Sequence, residues 1–176
     1  MVCKMCCREQ DFRNQLQAVG KYIDEHFTPG SGIRHFREPT SSGNTGKALK
    51  NIIKTVLNLK SKTFSERLIA LIDKRGYKPA DVYTKAGITK QHFSKIKLNP
   101  DYQPSKETAL AFAIVLKLSL ADTKELLASA GFTLSASSRR DLAVECLIKE
   151  CVYDIDTVND ILDELGFSTL TNRRNT

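Results

Sequence analysis

Hydrophobic side chains recur at helical spacing along most of this chain. In residues 9–27 they stand three or four positions apart, at Phe12, Leu16, Val19, Ile23 and Phe27. That spacing places them on one face of an amphipathic helix. The same periodicity returns in residues 47–59, 63–76, 105–118, 119–131, 138–151 and 154–166. The pattern therefore predicts an all-α fold built from short amphipathic helices.

Capping residues and loop composition mark where the predicted helices begin and end. Thr63 and Ser119 each stand three residues before an acidic residue, in the arrangement of a capping box. Gly131 follows the last hydrophobic position of its segment, where glycine commonly ends a helix. Residues 28–46 are rich in Gly, Pro, Ser and Thr, a composition typical of a flexible connector. We therefore expect the compact domain to begin near Thr63.

Residues 77–98 predict two short helices that meet at Gly87, with Thr89 placed to cap the second. On a helical wheel, Phe93 and Ile96 of the second helix fall on one side, which is the side of a core. The opposite side and its flanks carry amide, hydroxyl, imidazole and ammonium groups, on Gln91, Ser94, Lys95, Lys90, His92 and Lys97. A cationic helix surface that is rich in hydrogen-bond donors suits the major groove of DNA.

Three segments in this region match a known family pattern: the turn 86–89, the helix Lys90–Leu98, and residues 103–108 before a long apolar helix. With them the chain resembles the Cro and lambda-repressor-like helix-turn-helix proteins, also called the XRE family, over residues 64–131. The resemblance implies a lambda-repressor-like helix-turn-helix bundle. It also implies a transcriptional regulator that binds double-stranded DNA sequence-specifically, with Lys90–Leu98 in the major groove.

The resemblance assigns contacts to individual residues. By position, the base-reading residues of the family fall on Lys90, Gln91 and Lys95. Phosphate contacts are implied for Lys78, Tyr102 and Gln103, and the surface of the predicted helix adds His92, Ser94 and Lys97.

Three positions depart from the family pattern. Pro79 stands in place of a phosphate-contacting glutamine, Tyr83 in place of a small alanine, and Asn99 in place of a common glycine. A ring as bulky as that of Tyr83 could shift the helix that follows the turn, so the departures bear on the DNA contacts more than on the fold. These departures keep a second function open, that of a protein-interaction adaptor or antitoxin-like scaffold on the same helix-turn-helix fold.

Charge is distributed unevenly along the chain, whose formal net charge is +7. Lys plus Arg against Asp plus Glu number 10 against 5 in residues 1–60, 9 against 4 in 61–105, and 8 against 11 in 106–176. A basic first part suggests a polyanion-binding face, and an acidic last part suggests a different role. A mixed, solvated surface explains the same counts and remains the alternative.

Beyond Gly131 the sequence predicts two further helices, the second with an apolar stripe at Ile155, Val158, Ile161, Leu162 and Leu165. One recognition helix reads few base pairs, and family members commonly present two, so the stripe is predicted to form a homodimer or to dock a protein partner. The alternative is that it packs on the chain's own core. Residues 63–170 also look like a helical module at the C-terminus of some bacterial macro-domain proteins, a likeness that carries no functional residue across.

These predictions divide the chain into four parts. They are an N-terminal helical extension in residues 1–60 that contains the flexible connector 28–46, a helix-turn-helix domain in 61–131, a C-terminal helical extension in 132–170 and a disordered tail in 171–176.

The remaining chemistry favours neither an enzyme nor a metalloprotein. Five cysteines show no regular disulfide framework. Cys3 and Cys6 could supply half of a zinc site with His26 or His35 as remote partners, but the sequence has no second compact pair of ligands. No nucleophile motif and no bracketing carboxylate pair is present, so neither catalytic residues nor a cofactor is predicted. No apolar run approaches the roughly 20 residues of a membrane helix. We therefore predict a cytoplasmic protein with no membrane contact.

Overall fold

The structure is a computed structural model that describes residues 4–27 and 62–171. Within these two ranges the chain forms eight α-helices and no β-strand, which confirms the all-α prediction for them. The helices are α1 (Lys4–His26), α2 (Phe64–Lys74), α3 (Pro79–Lys85), α4 (Lys90–Leu98), α5 (Lys106–Val115), α6 (Leu120–Ser129), α7 (Arg139–Lys149) and α8 (Ile155–Glu164). The predicted connector 28–46, the predicted helix 47–59 and residues 172–176 of the predicted tail lie outside the described ranges.

Polar caps start the helices where the sequence predicts them. The Thr63 hydroxyl accepts a hydrogen bond from the Glu66 amide at 3.3 Å, and the Thr63 amide donates to the Glu66 carboxylate at 3.0 Å. Side chains in the equivalent position cap α5, α6, α7 and α8; they belong to Ser105, Ser119, Ser138 and Asp154. Each such cap stabilises a helix by about 1 kcal/mol. The helix starts are therefore encoded locally.

α5 lies at the centre of the core because it is apolar on nearly every side. Every residue from Ala109 to Ile114 is buried, and the helix packs against α3, α6 and α8. Aromatic rings join it to two more helices, since the Phe112 ring centroid lies 6.4 Å from that of Phe64 in α2 and 6.2 Å from that of Phe93 in α4. Rings of this size contribute much of the stability of a small core.

α8 packs its apolar face into the chain's own core. Val158, Ile161 and Leu162 have no exposed surface, and the helix contacts α1, α5 and α7. Ile155 and Leu165, at the two ends of the stripe, are half-buried. This corrects the dimer or partner assignment for the three central residues, because a side chain enclosed by its own chain cannot contact a second molecule. These three residues pack on the chain's own core, which is the alternative that the sequence left open.

Ion pairs join the N-terminal ends of α5 and α7. Lys106 Nζ lies 2.6 Å from Asp141 Oδ2, and the Asp141 side chain is 5% exposed. Beside this pair, Arg140 donates to the Glu107 carboxylate at 3.1 Å. The contacts cross the domain boundary that the sequence placed after Gly131. α7 is therefore joined directly to the helices that precede that boundary.

α1 packs along α7 and covers it. Val19 and Ile23 of α1 are buried. A polar cluster closes the edge of this contact, where Lys149 Nζ donates to the Tyr22 hydroxyl at 2.6 Å and lies 3.0 Å from a Glu145 carboxylate oxygen. The N-terminal helix is thus part of the same body as the C-terminal helices.

The end of the described chain returns to the turn between α3 and α4. The buried Asn159 side chain donates to the Thr171 hydroxyl at 2.9 Å and accepts from the Leu170 amide at 2.9 Å. A Cβ atom placed on Gly87 in the turn would lie 3.1 Å from Thr171 Cβ. Thr171, which the sequence assigned to the tail, therefore contacts both α8 and this turn.

Candidate functional site

A tight turn connects α3 to α4 and fixes where α4 begins. Ala86 and Ile88 are buried, and Gly87 between them has a φ of +66°. Such a left-handed backbone is unstrained only for glycine. The Ile88 amide donates to the Tyr83 carbonyl at 2.8 Å, and the Thr89 hydroxyl then caps α4. The turn that the sequence predicted at Gly87 is present with the predicted cap.

α4 presents one side to the core and the other to the surroundings. Phe93 and Ile96 are buried, and the Ser65 hydroxyl of α2 donates to the Ile96 carbonyl at 2.6 Å. We call the opposite side the outer face of α4; it consists of Gln91, Ser94, Lys95 and Leu98. These residues stand at positions i, i+3, i+4 and i+7, which are neighbours on a helix surface. Ser94 is half-buried, and the other three side chains are exposed.

An open groove of about 690 Å³ runs along this outer face. Its lining consists of Lys90, Gln91, Ser94, Lys95, Leu98, Asn99 and Tyr102. Two of these side chains, those of Lys90 and Lys95, end in ammonium groups, and no described residue of the lining carries a carboxylate. Such a groove favours a ligand that is negatively charged and accepts hydrogen bonds.

The loop after α4 forms the second wall of the groove. The Asp101 amide donates to the Asn99 side chain at 3.1 Å, and the Tyr102 amide donates to the Asn99 carbonyl at 3.0 Å. The Tyr102 hydroxyl lies 3.0 Å from His92 Nε2, and the two rings meet edge to face. His92 and Tyr102, both predicted to contact phosphate, thus contact each other and hold the loop against α4.

The predicted contacts divide into those that line the groove and those that do not. Five of them line it: Lys90, Gln91, Ser94, Lys95 and Tyr102. The other four do not: Lys78 occupies the N-cap position of α3 without a side-chain capping bond, Lys97 lies on α4 outside the outer face, Gln103 follows Tyr102, and His92 packs on the Tyr102 ring. Lys78, Lys97 and Gln103 are exposed, and His92 is half-buried. The structure therefore brings the three predicted base-reading residues together on one surface.

The structure accommodates all three departures from the family pattern. The half-buried Tyr83 ring packs on Phe93 with 5.3 Å between their centroids, so the ring extends the core beneath α4. Asn99 has a φ of −115°, which is extended backbone that any residue adopts. A glycine is therefore not needed after α4. The third departure, Pro79, occupies the first position of α3, where proline needs no hydrogen-bond partner.

Leu98 belongs to the groove, although no contact was predicted for it from the sequence. Leu98 is 80% exposed, and Tyr77, at 40%, is the other exposed large hydrophobic residue among those that the structure describes. The available signal was its position seven residues after Gln91, which puts both on the same face of a helix. A single leucine at a helix end is ordinarily assigned to a core, and the sequence alone does not contradict that assignment.

A second cavity, of about 370 Å³, lies between α1 and the end of α7. Its lining includes the carboxylates of Asp11 and Glu150, and no lysine or arginine stands among its described residues. The lining of this cavity is therefore negatively charged, whereas the lining of the groove on α4 is positively charged. The groove on α4 is the one suited to an anion.

The structure describes only some of the residues that the sequence offered as possible metal ligands. Among the described side chains, in residues 11–27 and 62–171, no group of three or more His, Cys, Asp or Glu residues is placed to hold a metal ion. His26 stacks on the Tyr22 ring, and its Nδ1 lies 2.9 Å from the Tyr22 carbonyl oxygen. Cys3 and His35, as well as the side chains of Cys6 and Cys7, lie outside the described part.

Comparison with known proteins adds no further assignment. No family model matches the chain, and none of the curated proteins or solved structures with which it was compared matches it. None of the described helices is long and apolar enough to span a membrane. Any function must therefore be argued from the residues and geometry of the chain itself.

Proposed function

We propose that residues 64–131 form a lambda-repressor-like helix-turn-helix domain and that the chain is a sequence-specific DNA-binding protein, a transcriptional regulator. One observation carries the proposal: the outer face of α4 is exposed along a groove whose described lining combines two lysines, two amides, two hydroxyls and one leucine without a carboxylate. An α-helix with these groups fits the major groove of double-stranded DNA, where base edges present hydrogen-bond acceptors and donors.

Each predicted base contact has a chemical reason. Lys90 and Lys95 donate to O6 and N7 of guanine, and the Gln91 amide pairs with N6 and N7 of adenine. The remaining predicted contacts, Lys78, His92, Ser94, Lys97, Tyr102 and Gln103, bind phosphate oxygens and fix the register of α4 on the duplex. Base contacts of this kind supply specificity, and the phosphate contacts supply most of the affinity.

Duplex selection followed by alanine substitution tests the proposal. The full chain is used to select duplexes from a random pool, and dissociation constants are then measured by fluorescence anisotropy on the selected and on random duplexes. Replacing Gln91 or Lys95 by Ala is expected to weaken binding to the selected duplex by about 1–3 kcal/mol and to leave random duplexes nearly unaffected. Lys78→Ala is expected to weaken both alike, because a phosphate contact carries no sequence information.

A lysine on α1 provides the matched control. Lys21 is 78% exposed and belongs to the helix that packs chiefly on α7, so Lys21→Ala removes the same charge and is expected to leave both affinities nearly unchanged. The logarithm of affinity should fall with the logarithm of salt concentration, by about 0.9 for each phosphate contacted. Equal losses on both duplexes for Gln91→Ala and Lys95→Ala would reduce the function to non-specific binding. Absence of binding at low salt would reject it.

A protein-interaction adaptor or antitoxin-like scaffold is the second candidate function, with the same face bound to a protein. The 80% exposure of Leu98 favours it, because an apolar side chain on an exposed helix face can serve as an anchor in the hydrophobic groove of a partner. The salt titration separates the two candidates, since an apolar protein contact lacks the steep dependence on salt of a phosphate contact. The cytoplasmic location and the absence of enzymatic activity stay predictions.

A further inference from the structure

Leu98 is the last residue of α4, and its side chain makes little contact with the protein. It is 80% exposed, whereas Phe93 and Ile96 of the same helix are 5% and 0% exposed. The side chain lines the groove on the outer face beside Lys95 and Asn99. Leu98 therefore adds nothing substantial to the core, and its surface is available to whatever occupies the groove.

The chemistry around Leu98 indicates one occupant. The rest of the outer face offers hydrogen-bond donors and positive charge, which match base edges and phosphates. Leu98 offers neither a hydrogen-bond donor nor a charge. An apolar group at the same surface would remove its side chain from water. The apolar group that the major groove presents is the C5-methyl of thymine. A duplex with a thymine beside Leu98 would contact both the polar side chains of the outer face and the leucine.

We propose that Leu98 is a specificity-determining residue that contacts the C5-methyl group of a thymine in the bound duplex. This inference rests on the proposed function and names a base that Lys90, Gln91 and Lys95 do not read. Leu98 follows Gln91 by seven residues, which is about 10.5 Å along the helix axis. With a rise of about 3.4 Å per base pair, the thymine lies within about three base pairs of the base that Gln91 contacts.

Deoxyuridine substitution tests this contact atom by atom. Each thymine of the duplex selected by the wild-type chain is replaced singly by deoxyuridine, which differs from thymidine only in lacking that methyl group. At one or two positions wild-type affinity is expected to fall about three- to tenfold, the size of a lost methyl contact. Leu98→Ala is expected to bind the thymine and uracil duplexes equally at those positions. Leu98→Met, which keeps an apolar side chain, is expected to retain the discrimination.

The folding of the variants is checked by their unfolding midpoints, which are expected to match the wild type because Leu98 is exposed. Equal wild-type affinity for thymine and uracil at every position overturns the inference and leaves the proposed function intact. The same conclusion follows if Leu98→Ala discriminates as strongly as the wild type. A wild-type chain that binds no duplex overturns both proposals, and binding of a protein at the groove would then explain the exposed leucine.

Discussion

The sequence predicted two helix faces as contact surfaces, the outer face of α4 and the apolar stripe of α8. In the structure the first is exposed and the centre of the second is buried. Gln91, Lys95 and Leu98 are exposed, whereas Ile161 and Leu162 have no accessible surface. Both faces show helical periodicity. The α8 stripe is apolar along its length, while the α4 face mixes amide, hydroxyl and ammonium groups with one leucine.

This difference teaches what an amphipathic pattern can and cannot predict. A continuous apolar stripe predicts that the face is covered, because exposing it to water costs about 25 cal/mol for each Å². It does not predict whether the chain itself or a second molecule supplies the cover. A mixed face predicts exposure more directly, since buried polar groups need partners. The comparison can be tested with matched substitutions on the two faces.

The largest expected effect comes from the same leucine-to-alanine change made on each face. Leu162→Ala on α8 is expected to lower the free energy of unfolding by about 2–5 kcal/mol, because it leaves a cavity in a packed core. Leu98→Ala on α4 is expected to change it by less than about 0.5 kcal/mol, as is usual for surface substitutions. Urea unfolding followed by circular dichroism measures both values. Equal effects of the two substitutions would contradict the assignment of α8 to the core.

A smaller effect is expected when a lysine of the ion pair between α5 and α7 is compared with a lysine on the outer face of α4. Lys106→Ala removes the partner of the buried Asp141 carboxylate, whose remaining contacts include the Ser135 amide at 2.9 Å. We expect a loss of about 3 kcal/mol in the free energy of unfolding, since a buried charge is left without its counterion. Lys95→Ala, made on an exposed residue, is expected to leave that free energy nearly unchanged. Urea midpoints that coincide for the two variants would show that the ion pair contributes nothing.

The smallest expected effect is a dependence of stability on pH in the contact between α1 and α7. Burial acts to raise the pKa of the Glu145 carboxyl, but the hydrogen bond from Lys149 and the charges of Lys124 and Lys149 outweigh it, so the pKa is lowered from 4.5. A carboxyl with a lowered pKa in the folded state stabilises the fold above its unfolded pKa. That contribution is lost as the pH falls through the folded value.

Glu145→Gln is therefore expected to be less stable than the wild type near neutral pH, by about 0.2–1 kcal/mol, the range of partly exposed ion pairs. The difference should shrink as the pH falls below about 4.5. Urea unfolding at neutral and acidic pH measures it, with Gln91→Ala on the outer face as a control that changes no titratable group. A difference that stays constant over this range would rule out the assigned charge contacts of Glu145.

Much of the secondary structure was predictable from the sequence, and so were the groups on the outer face of α4. Thr63 and Thr89 cap helices as predicted, and Gly87 adopts the left-handed backbone of the predicted turn. The exposure of Leu98 was not predictable, because a leucine at the end of a helix is compatible with a core position until the neighbouring helices are placed. The packing of the Tyr83 ring against Phe93 was not predictable either, because it depends on how α3 and α4 meet.

The sequence by itself determined where the described helices start and which face of each is apolar. Capping bonds and helical periodicity act between residues three or four positions apart, so they are written in short segments. Tertiary structure alone decided which apolar faces meet and which stay open. The hydrogen bond between Tyr22 and Lys149 joins residues 127 positions apart, and no local pattern specifies such a pairing. Among the described residues the groove on α4 stays open because neighbouring helices pack against the opposite side of α4, where Phe93 and Ile96 are buried.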